Sequence, residues 1–161
     1  MPVSRPVSLG WTVAAAASAV LVALALAPPF LGGEAGAFVR HAFAAVCHQL
    51  PERTPHLGGG PVALCHRCTG VVLGLAGGLL AAPALAARWR NALARSGQGR
   101  LLLAAAVPAA IDWLLGATGL WANTPASRVA TGALFGLVAG VILAANLLAP
   151  PRRSLSSVPS P

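Results

Sequence analysis

Four stretches of the chain are apolar almost without interruption, at about residues 9–31, 68–87, 101–120 and 128–149, and each reaches the roughly 20 residues that a helix needs to cross a bilayer. A fifth element is shorter. Phe38, His41, Ala42, Ala45 and His48 recur at three- and four-residue steps within 34–50, and Pro51 terminates the pattern. This segment is too short and too polar to span, which makes it an outer-surface or re-entrant helix. The predicted architecture is all-α: a polytopic membrane protein with four transmembrane helices and one short interfacial helix, forming a single domain over 1–150. A Ser/Pro-rich tail over 151–161 reads as disordered.

Composition supports the membrane assignment. Of the 161 residues 57% are hydrophobic and only 9% are charged, against about 25% charged in a soluble domain, so too little polar side chain is present to coat a water-facing surface. The net charge of +8 comes from arginine alone, since the chain has no lysine. Its placement argues against nucleic acid as a partner. Arg88, Arg90, Arg95 and Arg100 crowd one connection, Arg152 and Arg153 follow the last run, and Arg5 precedes the first; Arg40, Arg53, Arg67 and Arg128 lie on the other side. The positive-inside rule then puts both termini in the cytoplasm, in a bacterial inner (plasma) membrane, with 32–67 and 121–127 on the outer face. The first run also carries Ala25-Leu26-Ala27, which resembles a signal-peptide cleavage site. Pro28 and the continuation through Phe30 and Leu31 favour an uncleaved span.

Glycines recur at four-residue steps in the second span (Gly70, Gly74, Gly78) and in the fourth (Gly132, Gly136, Gly140). That period lets helices approach closely where lipid supplies no hydrophobic force, either within the chain or between copies in a homo-oligomer. The two spans also share wording: Thr69-Gly70, then Gly74-Leu75, matches Thr131-Gly132, then Gly136-Leu137. This reads as a parallel duplication of a two-helix unit, or as coincidence in a Gly-rich chain.

The one region dense in reactive side chains lies between the first two spans: Cys47-His48-Gln49-Leu50-Pro51-Glu52-Arg53 and Cys65-His66-Arg67-Cys68-Thr69-Gly70. Cys65 and Cys68 at i, i+3 present two sulfurs from one helical turn. With Cys47 and His48 they make a candidate ligand set for zinc or another transition metal. Gln49 and Arg53 are placed to orient this outer loop. His41 and His48, seven apart, would share a helical face. The same Cys-x-x-Cys pair suits thiol–disulfide exchange, with Cys47 as a third thiol, and three small apolar side chains can also simply pack. Haem attachment is excluded, because Thr69 follows Cys68 where that motif requires histidine.

Asp112 is the one acid inside a span, where an aspartate costs about 2.5–3.5 kcal/mol and needs a partner. Arg128, at the outer start of the fourth span, is the expected counter-ion, with Asn123 and Ser127 as hydrogen-bond donors. Three function classes follow: a metal-binding membrane protein, a membrane thiol–disulfide oxidoreductase, and a transporter or assembly factor that relies on Asp112.

At these residues the chain resembles a bacterial family of small multi-pass membrane proteins known as a domain of unknown function. The resemblance rests on Cys47, His48, Gln49, Pro51 and Arg53; on Cys65, Arg67, Cys68 and Gly70; and on Asp112, Asn123, Arg128, Thr131 and Gly132. It covers about residues 40–140. Two departures are Thr54, where the family pattern leads one to expect serine, and Val72, where it leads one to expect an aromatic residue. The resemblance implies a polar site and no particular activity.

Overall fold

Each apolar run becomes a helix, and the breaks fall where proline and glycine dictate. A computed structural model describes residues 8–148, with side chains described over 8–84 and 97–148; the tail assigned to 151–161 lies outside the described residues. Helix α1 (Leu9–Leu26) starts from the Ser8 side chain, which accepts the Trp11 N–H. It ends before Pro28-Pro29, which open a single turn, α2 (Pro28–Leu31). The first apolar run is therefore two helices rather than one. Gly32 (φ +64°) and Gly33 (φ +43°) turn the chain into α3 (Gly33–Phe43).

The helix expected over 34–50 stops at Phe43. Gln49 explains why. It takes a left-handed backbone (φ +51°), and its side-chain amide donates to the Arg40 carbonyl at 2.6 Å, capping one of the last carbonyls of α3. His41 and His48 consequently do not share a helical face, and both are exposed. A 3-10 turn (Pro51–Arg53) follows, then a two-residue hairpin, β1 (His56–Leu57) with β2 (Gly60–Pro61). Its tip glycines, Gly58 and Gly59, both have positive φ.

Helix α4 (His66–Ser96) runs well past the apolar window that ends at Ala84, so the arginine-rich connection continues the helix and only Gly97 (φ +72°) separates it from α5 (Gln98–Ala117). Helix α6 (Pro125–Leu147) begins at Thr124, whose side chain accepts the Ser127 N–H at 3.0 Å. Four helices, Leu9–Leu26, His66–Ala84, Gln98–Ala117 and Pro125–Leu147, are long and apolar enough to cross a membrane. Their outward faces carry Val13, Val20, Leu80, Leu103, Val107, Ile111 and Leu114, an apolar surface suited to lipid rather than water.

The centre of the bundle is the parallel pair α4 and α6. All six glycines of the two rows are buried there. A Cβ on Gly70 would overlap the Val129 carbonyl, one on Gly74 that of Ala133, and one on Gly78 that of Leu137. Reciprocally, Gly132, Gly136 and Gly140 lie on the carbonyls of Arg67, Val71 and Leu75. Adding 62 to any α4 position in this set gives its α6 counterpart, so each helix meets the other in the same way, about a local two-fold. Helix α1 packs on α4 as α5 packs on α6, the arrangement a duplicated two-helix unit requires. The glycines that sequence also offered to a second copy are here occupied within one chain.

Gly136→Val should lower stability by at least about 1–3 kcal/mol, because the added side chain meets backbone that cannot yield. Gly77→Ala, whose Cβ would meet only a Leu137 methyl at 3.9 Å, should be neutral or slightly stabilising. Thermal unfolding of both variants in detergent checks the contrast.

Candidate metal and thiol site

The polar end of the bundle is built from the chain between α3 and α4. Val62, Ala63 and Leu64 are fully buried in a bent, irregular run that hydrogen bonds tie down on both sides. The Val62 N–H donates to the Pro55 carbonyl (3.0 Å) and the Ala63 N–H to the Ala25 carbonyl at the end of α1 (2.9 Å). The Ala63 carbonyl accepts the Gln49 amide (2.9 Å). This run delivers Cys65 to the N-cap of α4, and Cys68 follows on the first turn.

Gln49, bonded to both Arg40 and Ala63, ties the end of α3 to that run and holds Cys47 in the core. Cys47 is 4% exposed and packs with Ala25 and Leu64, against Phe43 and Val72. The Cys65 N–H donates to Cys47 Sγ at 3.3 Å. The sulfurs of Cys47, Cys65 and Cys68 all lie within 4.8 Å of one another, and none is in a disulfide. Some point therefore lies within about 2.8 Å of all three sulfurs, against a thiolate–zinc length of about 2.3 Å.

The other candidates are distributed around this group. His48 is exposed and its ring is not among the converging atoms. Arg53 contributes its backbone: its carbonyl accepts His66 Nδ1–H at 2.6 Å, while its side chain is exposed, 3.7 Å from Glu52. Thr54, in the position where serine was expected, is 3% exposed and donates to the Leu50 carbonyl at 2.8 Å.

Asp112 is buried at 8% exposure, and its counter-ion is Arg67, not Arg128. The reason lies in the helix packing. With no Cβ on Gly132, the Arg67 backbone closes against α6, and the long side chain reaches past it to α5. Asn123, packed on Gly116, donates to the Asp112 backbone carbonyl, and Ser127 stands beside the same carboxylate. Arg128 is half-buried and, among the described residues, makes no ion pair. The Arg67–Asp112 contact was legible only as an acid needing a base. The buried Val62–Leu64 run carried no sequence signal beyond being apolar.

The family model described as a predicted membrane protein (DUF2085) matches residues 47–142. The chain belongs to that family. The DUF2085 match starts on Cys47 and ends within α6, so it takes in the thiol group, Asp112 and the glycine rows. No curated protein and no solved structure matches the chain.

Hydrogen bonding from the Cys68 thiol, helped by Cys47 and by the N–H groups of Arg67 and Cys68, outweighs burial and pulls the Cys65 thiol down to about 5. Alkylation of Cys65 by iodoacetamide, mapped by mass spectrometry, should therefore lose rate only as pH falls toward 5. An ordinary thiol would lose it through about 8.5. A second expectation concerns the ion pair: Asp112→Ala leaves Arg67 without its carboxylate and should destabilise the protein by about 3–5 kcal/mol. Unfolding in detergent measures this.

Proposed function

We propose that this DUF2085 chain is a metal-binding protein of the bacterial plasma membrane, holding a transition-metal ion on Cys47, Cys65 and Cys68 at its outer face. The observation that carries the reading is the convergence of three free sulfurs, drawn from segments 18 residues apart, within 4.8 Å. Inert packing does not require such convergence, because an apolar side chain at any of the three positions would fill the same space. The outer-face assignment rests on the arginine distribution. Thiolates bind soft and borderline cations and lose their protons on doing so. In this reading Gln49 and the Ala25–Ala63 hydrogen bond keep Cys47 opposite the α4 turn, and Arg67–Asp112 keeps that turn fixed against α5.

A second reading, thiol–disulfide exchange, is favoured by the Cys65 thiol being pulled down to about 5, since a low pKa marks an attacking or leaving thiolate. One experiment separates the two. Elemental analysis of detergent-purified protein, with free thiols titrated on the same sample, should give close to one metal ion per chain, and Cys65→Ser or Cys68→Ser should remove it. Protein with no metal and a disulfide that forms and reduces reversibly would replace the metal reading with exchange chemistry.

A further inference from the structure

Three sulfurs converge, and nothing else does. Among the described residues, no histidine, aspartate or glutamate atom joins Cys47, Cys65 and Cys68. His48 is exposed, Asp112 is paired with Arg67, and the ring of His66, whose Nδ1–H donates to the Arg53 carbonyl, is not among the converging atoms. On the buried side the group is backed by Ala25, Leu64, Phe43 and Val72, while Cys65 and Cys68 are half-buried. From this donor set we infer, resting on the metal-binding reading above, that the ion is soft and three-coordinate, held in a trigonal thiolate site of which Cu(I) is the representative occupant.

The chemistry of the alternatives points the same way. Structural zinc sites are closed by four protein ligands, and a site offering three must recruit water or a further side chain. Here no fourth histidine, carboxylate or thiol donor stands beside the three sulfurs among the described residues. Thiolates suit both Cu(I) and zinc, and Cu(I), the softer ion, is the one satisfied by three of them with no fourth ligand. The ligand frame is also set before binding. Cys47 is fixed in the core and accepts the Cys65 N–H, a hydrogen bond that offsets part of the negative charge on that sulfur. Cys65, at the N-cap, and Cys68, on the first turn, are carried by one helix end.

The full-length chain in detergent is loaded anaerobically with Cu(I) or, separately, with Zn(II), challenged with a chelator for each ion, and studied by X-ray absorption. The expected result is about one Cu(I) per chain with three sulfur neighbours and no nitrogen or oxygen neighbour, and with Zn(II) stripped at least about tenfold more readily. His48→Ala should leave Cu(I) retention unchanged within about twofold, whereas Cys47→Ser should lower it about tenfold or more. The spectrum of the unaltered protein decides the matter even if the buried Cys47 variant fails to fold. A nitrogen or oxygen neighbour on the metal, loss of binding in His48→Ala, or zinc held while copper is stripped would overturn the three-coordinate inference and leave the metal site standing. Retention of neither ion would overturn both.

Discussion

Backbone contact between α4 and α6 is the constraint on which the polar end of this protein depends. Lipid is as apolar as the side chains that face it, so two helices in a membrane gain little from burying leucine against leucine and must gain from close packing. The two glycine rows supply that packing, each glycine seating on a carbonyl of the opposite helix. Because the rows begin at the same end of both helices, they also set the level at which α4 starts relative to α6. Cys65, Arg67 and Cys68 occupy that first turn. Their positions are therefore fixed by helix packing several residues deeper in the bundle.

Arg67 shows how far this reaches. Its carbonyl lies against Gly132 while its guanidinium pairs with Asp112 on α5. One residue thus joins three helices, and the chain's one intramembrane acid is neutralised by the helix that carries the thiols. On the other side of that turn, the Val62–Leu64 run shows how irregular backbone survives at the edge of a membrane. The N–H groups of Val62 and Ala63 are taken by the Pro55 and Ala25 carbonyls, and the Ala63 carbonyl by Gln49, rather than left to lipid. Gln49 does double duty, capping α3 and bridging to Ala63, and the bridge closes the loop that brings Cys47 across to Cys65.

Much of this was legible in the chain, for reasons that differ by element. The spans were plain because membrane insertion demands about 20 apolar residues and little else. The glycine rows were plain because a four-residue period has one physical meaning in such a helix. The three cysteines stood out as the reactive residues of one outer loop. What could not be read was the detail set by tertiary contacts. The early end of α3 depends on Gln49 adopting a left-handed backbone, which no periodicity reveals. The pairing of Asp112 with Arg67 rather than Arg128 depends on how closely α4 lies on α6; sequence proximity favoured the wrong arginine. His48 follows Cys47 beyond the end of α3, where helical periodicity no longer sets which side chains face the core. Its exposure beside a buried cysteine is therefore natural once the helix is known to have ended.

The central claim is that the loop carries Cys47 onto the first turn of α4, its sulfur within 4.8 Å of those of Cys65 and Cys68. A bifunctional thiol reagent whose arms span a few ångströms, applied to the metal-free, reduced protein and followed by peptide mapping, tests it directly. The account predicts a cross-link joining Cys47 to Cys65 or Cys68. Cross-links confined to the Cys65–Cys68 pair, with Cys47 modified only singly or by a second chain, would contradict it.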